Sequence, residues 1–450
     1  MRPDSMRNDG FLLFVYIGKN VGERARHPGA RKPESDGGRE RVNTKTALRF
    51  AGGYGLSVAI SGVVSLAVIP AIIVAAGPDA WATIAVAQAV AGFAFVFAVY
   101  GWGVVGPTEV AQLGVGRRGA YFFDSLLSRT WLCLVVVPVA IVIAILVIGH
   151  DELLAALTVT SGILVALGSG WFFVGESSPI RFLLIDTVPR IAGTVVGAVV
   201  LIATGDIIAF AALQLAGVVV STVIGVWNIL ARHHDWHFTL SPVRAVRNLS
   251  GQASPVAMSA TASVYVNVPI VLIDLFLPSA TAVYALAERI VRLALYSTRP
   301  IVQIAQGWVP SPDPVVQAGR ARRITAIALG LGALGGLVYA VAGPWIGDLL
   351  SGGTLTISVA LAVPMGINLA AILASQLTGF ACLTAFGLTR ALATSTIVGA
   401  IVGTALMLPL LLWIGAPGVA WGLAVAELCV LAVQLVTLAP NLRRREQVSS

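Results

Sequence analysis

Apolar residues recur along the chain in runs of about twenty, separated by short polar segments, from residue 48 to residue 438. A helix of that length crosses a hydrocarbon core of about 30 Å, and the runs lack the alternation of membrane barrel strands. Because each helix pairs its own backbone groups inside lipid, the pattern predicts an all-α polytopic membrane protein. Twelve transmembrane helices are expected, near residues 48–76, 80–102, 126–148, 152–174, 182–204, 208–230, 254–277, 281–305, 324–346, 355–376, 389–412 and 418–438.

Charged residues between these spans predict the orientation of the protein. If both termini are cytoplasmic, the outward turns contain no Lys or Arg, and their acidic residues are Asp79, Asp151, Glu152, Asp206 and Asp348. The inward segments then hold the basic residues Arg117, Arg118, Arg232, Arg244, Arg247, Arg320, Arg322, Arg323 and Arg443 to Arg445. Since Lys and Arg accumulate on the cytoplasmic side, we expect cytoplasmic termini and a multi-pass protein of the cytoplasmic (inner) membrane.

The spans divide into two halves. At an offset of 200 residues, the segment 77–90 aligns with 277–290, and Pro78 meets Pro278. The membrane side is not reversed, so the repeat is expected to be parallel. The predicted organisation is a basic, disordered cytoplasmic tail (1–46), an N-terminal six-helix lobe (47–231), a cytoplasmic linker (232–253), a C-terminal six-helix lobe (254–438) and a cytoplasmic tail (439–450). The linker segment SPVRAVRNL suits a short interfacial helix that acts as a hinge or strap.

Composition agrees with this class. The chain is 57% hydrophobic and only 11% charged, whereas soluble domains contain about a quarter charged residues. The net charge of +8 raises the question of nucleic acid, but the basic residues are spread over short loops, so topology explains them better and no nucleic-acid partner is expected. The cysteines Cys133, Cys382 and Cys429 lie in or beside apolar spans, which predicts core packing without a disulfide framework.

Candidate chemistry for an enzyme is weak. His233 and His237 lie one helical turn apart, but at a membrane boundary where such residues are common, so no metal site is expected. A phosphate-binding glycine loop followed by lysine does not occur, which argues against ATP hydrolysis. We expect no catalytic residues and no cofactor.

The eighth span holds the most informative residues. Counted from residue 281, Arg289 lies about 12 Å deep and Arg292 about 16 Å deep, where a charge facing lipid costs about 2.5 to 3.5 kcal/mol. About 80° of the helix surface holds the polar set Glu288, Arg292, Tyr296, Arg299, Gln303 and Gln306, with Arg289 at its margin.

Two interpretations of this polar face compete. Glu288 and Arg292 are spaced i to i+4 and can form a structural pair. That pair leaves Arg289 and Arg299 without an obvious acidic partner, so we favour a water-filled cavity that meets an anionic substrate. The forked donors of arginine suit phosphate oxygens.

Three other spans also contain polar residues. The seventh span contributes Ser263, Asn267 and Asp274, which either line the same space or bond to neighbouring helices. Glu427 in the twelfth span is either protonated, paired with an arginine of another helix, or a coupling site. In the fifth span, the i to i+4 spacing of Asp186 and Arg190 favours a local structural pair.

Four segments carry a family resemblance: YGWGVVGPTEVAQ (100–112), WFFVGESSPIRFLLIDTVPR (171–190), YALAERIVRL (284–293) and GAPGVAWGLAVAE (415–427). Their order and spacing over about residues 47–440 resemble the polysaccharide (O-antigen type) flippases of the multidrug/oligosaccharidyl-lipid/polysaccharide exporter superfamily. The resemblance implies two six-helix lobes around a central cavity that opens alternately to either side.

The resemblance also implies a substrate and partners. Such flippases carry a polyprenyl-pyrophosphate-linked glycan from the inner to the outer leaflet for cell-surface polysaccharide biosynthesis, in contact with membrane lipid and with other polysaccharide-assembly proteins. Cationic residues of the cavity are thought to meet the pyrophosphate or acidic sugars. By helix position, Arg289, Arg292 and Arg299 take that role here.

Two alternatives remain. A multidrug or organic-cation exporter of the same superfamily favours an acidic or aromatic cavity, and Glu427 and Asp274 keep that alternative open. A membrane-embedded glycan polymerase or ligase requires a large outward loop, whereas the longest outward turn here is AGPWIGDLLSGG, residues 342–353.

Overall fold

The computed structural model describes residues 44–249 and 253–447, and these form helices without a β-strand. Nearly all of the predicted N-terminal tail therefore lies outside the described residues. The helices are α1 (Thr44–Val99), α2 (Trp102–Gln112), α3 (Arg118–Ile148), α4 (Glu152–Leu164), α5 (Gly170–Gly175), α6 (Pro179–Arg181), α7 (Val188–Thr204), α8 (Ile207–Arg232), α9 (Pro242–Leu249), α10 (Ala253–Phe276), α11 (Thr281–Trp308), α12 (Pro314–Ser351), α13 (Val359–Gln376), α14 (Thr389–Ile414) and α15 (Ala416–Gln447).

Nine helical stretches of the described residues are long and apolar enough to cross a membrane. The first of them, Ser57–Gln112, covers most of the first predicted span and all of the second, and the two spans meet at Gly77 with φ 91° and ψ 166°. The seventh and eighth predicted spans correspond to α10 and α11, and the charged face of α11 keeps it outside the nine. The all-α polytopic fold class is confirmed, whereas the side on which the termini lie stays a prediction.

Several helices extend past the apolar runs that predicted them. Helix α3 begins at Arg118 rather than near residue 126, and α12 begins at Pro314 rather than near residue 324. For α12 the cause is a cap: the Asp313 carboxylate accepts hydrogen bonds from the backbone amides of Val315 and Val316. Segment 102–112, at and after the end of the second predicted span, forms the separate helix α2.

Glycine pairs bring neighbouring helices into backbone contact. A Cβ atom at Gly336 of α12 would overlap the carbonyl oxygen of Gly366 in α13, and the reverse also holds. In the same way, a Cβ atom at Gly193 of α7 would lie 2.8 Å from the Cα atom of Gly217 in α8. Small residues allow this close packing in a membrane, where lipid tails leave helices little hydrophobic reason to associate.

The fourth predicted span is broken near its middle by a 3₁₀ turn at Val165–Leu167, after which α5 continues the path. Arg129 of α3 is completely buried at this break. Its Nη1 atom donates to the carbonyl oxygens of Ala166 at 2.6 Å and Gly168 at 3.1 Å. The arginine thereby satisfies backbone acceptors that the broken helix leaves without an amide.

The linker between the halves packs against the first half. Helix α9 confirms the short helix predicted there, and Arg244 forms an ion pair of 2.6 Å with Asp124 of α3. The Ser128 hydroxyl donates to the carbonyl oxygen of Ala245 at 3.0 Å. Before α9, the carboxylate of Asp235 accepts hydrogen bonds from the first amides of α3, at 3.1 and 3.2 Å.

All three cysteines are free. Cys133 and Cys382 are buried in hydrophobic clusters, as predicted, and Cys429 is half-buried.

Candidate functional site

Helix α11 faces the first half of the chain with its polar side. Because α11 is continuous from Thr281 to Trp308, the residues predicted to share one face lie on the same side of the helix. The Nη2 atom of Arg289 donates a hydrogen bond of 2.7 Å to the hydroxyl of Ser65 in α1. This contact joins the eighth predicted span to the first.

A cavity of about 610 Å³ lies between these two halves. Its wall includes Arg289, Arg292 and Arg299 from α11, and serine, threonine and glutamine side chains from α1, α4, α7 and α8. It thus brings together the three arginines that the sequence selected. A smaller cavity of about 250 Å³ shares Arg289 and Arg292 with it and is also lined by Glu288 and Asn267.

The structural pair and the cavity wall, treated above as competing interpretations, coexist. Arg292 donates to Oε1 of Glu288 from Nη2 at 2.7 Å and from Nε at 3.2 Å. Its Nη2 atom also donates to the carbonyl oxygen of Val266 at 3.1 Å. Glu288 thus neutralises Arg292 while both side chains line the smaller cavity.

Arg299 is exposed at the far end of this wall and lies 4.5 Å from the ring centroid of Tyr296. Cation–π contact orients the guanidinium without neutralising it. Within the described residues, no carboxylate lies within ion-pair distance of Arg289 or Arg299.

The first half contributes a fourth arginine. Arg190 of α7 lies 3.0 Å from the carboxylate of Asp186, which confirms the predicted local pair. Both side chains also line the larger cavity, which the sequence did not predict. Asp186 belongs to a π-helical turn, Phe182–Thr187, and such turns often occur at functional sites. That irregularity has no clear signature in the sequence.

Two of the sequence candidates lie elsewhere. Asp274 accepts a hydrogen bond of 2.9 Å from the hydroxyl of Thr281, and it lines neither of the two cavities. Glu427 of α15 lies beside Tyr265 of α10 and also lines neither cavity. No arginine of the described chain lies within ion-pair distance of Glu427, so the option of an interhelical arginine partner is not observed.

A second charged cluster surrounds Glu176, in the turn after α5. Its carboxylate accepts from Arg232 at 2.9 and 3.1 Å and lies 3.0 Å from Nε2 of His233. Burial alone would raise the pKa of Glu176, but the hydrogen bonds from Arg232 and His233 outweigh burial and hold that pKa below its ordinary value. The cluster ties the hairpin between the fourth and fifth predicted spans to the end of α8, and it gives His233 a role that the sequence did not predict.

The charge balance of the two cavities is positive. Four arginines line them, against the carboxylates of Asp186 and Glu288, counted over the described residues. Each carboxylate is already paired with one arginine. The surplus of two positive charges on the cavity walls favours an anion.

No family model matches the sequence, and no curated protein gives a significant match. Several solved structures have a fold similar to that of this chain. A MATE protein in complex with MaD3S has a TM-score of 0.53 at 14% identity, covering 90% of this chain and 97% of that chain. An inward-facing multidrug resistance MATE family transporter of the MOP superfamily has a TM-score of 0.49 at 13% identity, covering 90% and 96%. A mutant of the Vibrio cholerae MATE transporter VcmN has a TM-score of 0.49 at 14% identity, covering 89% and 97%. The similarity to the MATE protein in complex with MaD3S shows that, over 90% of its length, this chain has the fold of a MATE protein.

Proposed function

We propose that the protein is a membrane transporter that moves a polyprenyl-pyrophosphate-linked oligosaccharide from the inner to the outer leaflet of the cytoplasmic membrane by alternating access. The MATE fold supports a transporter rather than an enzyme. One observation carries the substrate class: a cavity of about 610 Å³ lined by Arg190, Arg289, Arg292 and Arg299. A role in surface polysaccharide assembly, alongside other proteins of that process, follows from this substrate.

Arginine supports a phosphate ligand for two reasons. Its guanidinium keeps its charge in surroundings where other groups lose theirs, and its planar donors match two phosphate oxygens at once. Such charge-assisted hydrogen bonds also strengthen in a site of low dielectric. A pyrophosphate carries enough negative charge to balance the surplus of the wall.

An exporter of organic cations is the second candidate. Asp186 favours it, because its carboxylate lines the larger cavity. The carboxylate is, however, already paired with Arg190 at 3.0 Å, so an entering cation would have to displace an arginine. The two candidates therefore differ in the charge that they require of the substrate.

Deletion of the gene, followed by leaflet-resolved analysis of lipid-linked oligosaccharide, tests the proposal. We expect oligosaccharide to accumulate in the inner leaflet and the wild-type gene to reverse this. A variant with Arg289→Gln and Arg292→Gln should insert into the membrane yet fail to complement, whereas Arg390→Gln, an exposed arginine on α14, should complement. Unchanged oligosaccharide together with altered drug tolerance would instead support the cation exporter.

A further inference from the structure

The smaller cavity is lined by a glutamine whose side chain has no hydrogen-bond partner among the described residues. Gln88 of α1 lines both cavities, and its side chain makes no hydrogen bond with any described residue. A primary amide offers two donors and a carbonyl acceptor. Half-buried between helices, such a group is available to a ligand that can both donate and accept.

Asn267 presents a second unused atom. Its Nδ2 atom donates to the backbone carbonyl oxygen of Ser263 and to the Ser263 hydroxyl, both at 2.9 Å. Because a carbonyl oxygen can only accept, the nitrogen must face Ser263, and Oδ1 is the free end of the amide. Oδ1 lies against α1, since a Cβ atom at Gly92 would come within 3.0 Å of it.

Glu288 supplies the third polar atom that is available to a ligand. Both hydrogen bonds from Arg292 go to its Oε1 atom, and Oε2 has no hydrogen-bond partner within the described part of the chain. One apolar wall of the same cavity is Trp81, whose ring is fixed by a hydrogen bond of 3.1 Å from Nε1 to the carbonyl oxygen of Ala282. Pockets for organic ligands combine such an apolar surface with a few fixed polar groups.

The polarity of these atoms separates the ligand classes. A phosphate group would meet two acceptors, Oδ1 of Asn267 and Oε2 of Glu288, which repel its oxygens. An organic cation would meet Arg289 and Arg292 against a single carboxylate. A hydroxyl group both donates and accepts, so it can pair with the acceptors, with the Gln88 amide and with the arginines.

Size restricts the ligand further. The cavity of about 250 Å³ falls below the range of about 300 to 1,000 Å³ that is usual for drug-sized ligands, so it fits one sugar ring rather than a whole oligosaccharide. The cavity shares Arg289 and Arg292 with the larger one, where the phosphate would bind.

From these observations we infer that the smaller cavity is a binding subsite for the sugar residue attached directly to the pyrophosphate. This inference rests on the proposed function. In this subsite, hydroxyl groups of the sugar form hydrogen bonds with Gln88, Asn267 and Glu288. The protein can thereby distinguish a glycosylated lipid from the bare lipid phosphate.

The test measures binding of three probes to the purified full chain in detergent micelles: polyprenyl diphosphate, and the same lipid bearing a single N-acetylglucosamine or a single galactose. We expect at least one glycosylated probe to bind wild-type protein at least tenfold more tightly than the bare lipid. Gln88→Leu, which keeps the size of the side chain, should remove that gain, measured as the ratio of the affinity for the glycosylated lipid to the affinity for the bare lipid in the same variant. Gln214→Leu, on the larger cavity alone, is the matched control and should keep the gain.

Gly92→Ala gives a second, independent variant, because its methyl group crowds Oδ1 of Asn267. Binding of the bare lipid reports in each case that the variant is folded. Tight binding of the bare lipid by wild type with no gain from either sugar, or a gain that survives both variants, would overturn the subsite alone. Failure of the wild-type protein to bind any of the three lipids would overturn the proposed function, and the subsite with it.

Discussion

The guanidinium of Arg190 lies 3.0 Å from the carboxylate of Asp186 one helical turn away, and the two differ in exposure, with 39% and 8% of the side chain accessible. The anion is therefore much more buried than its cation, although both residues line the larger cavity. A buried carboxylate depends on such a partner, because an uncompensated charge in the interior is costly.

Arg190→Gln should therefore lower the free energy of unfolding by about 2 kcal/mol, since the buried carboxylate of Asp186 loses a charged hydrogen-bond donor. The double variant with Asp186→Asn should recover most of that loss. The measurement is a double-mutant cycle of unfolding in mixed micelles. Strictly additive losses would contradict a direct interaction between the two side chains.

Acidification should weaken the Glu176 cluster. Because the folded protein holds the pKa of Glu176 below its ordinary value of 4.5, the carboxylate stabilises the fold above that pH, and this contribution is lost as the pH falls further. Glu176→Gln should cost about 2 kcal/mol at neutral pH and should remove this part of the acid sensitivity. Thermal unfolding in detergent between pH 7 and about pH 3.5 measures both effects. Glu109→Gln, at an exposed glutamate of α2, should keep the wild-type pH profile.

Arg129→Leu should be among the more damaging single changes in the first half. It removes the donors of two carbonyl oxygens at the break in the fourth span, and each unsatisfied buried acceptor costs about 1 to 3 kcal/mol. Arg117→Leu makes the same chemical change at an exposed position and should leave stability within about 0.5 kcal/mol of wild type. Comparable stability of the two variants would show that the break does not depend on Arg129.

Gly336→Ala should separate α12 from α13, because its methyl group meets the carbonyl oxygen of Gly366. We expect a loss of about 1 to 3 kcal/mol from overpacking. Gly330→Ala on the same helix has no atom within 4 Å of the added carbon and should be neutral or slightly stabilising. Equal effects of the two substitutions in thermal unfolding would rule out a steric cause.

The sequence was most informative where one helix carries the signal. Midplane charges cannot face lipid, so α11 had to turn Arg289 and Arg292 inward, and both do line a cavity. The i to i+4 spacing of Asp186 and Arg190 likewise predicted their pair within one helix. Residue spacing does not show which helices are neighbours. The position of this pair on the wall of the cavity that α11 also lines was therefore visible only in the structure.

Contacts between segments that are distant in the chain also could not be predicted from the sequence. Glu176 meets Arg232 across 56 residues of chain, and the hairpin alone contains no sign of that partner. Glu427 illustrates the reverse case: its depth in the membrane marks it as unusual, but its neighbour Tyr265 comes from a helix more than 150 residues away in sequence. Tertiary packing determines both of these contacts.

The surplus of two positive charges in the cavities has a consequence for ions. Electroneutrality draws small anions from solution to Arg289 and Arg299 whenever the cavity is open to water. Under the proposed function, the pyrophosphate of the substrate would have to displace them. Occupancy should therefore fall as chloride concentration rises, in the manner of an ion exchanger. If the protein works by the proposed alternating access, the cavity meets one aqueous compartment at a time, and salt added to one side of a sealed vesicle should inhibit only the state that opens to that side.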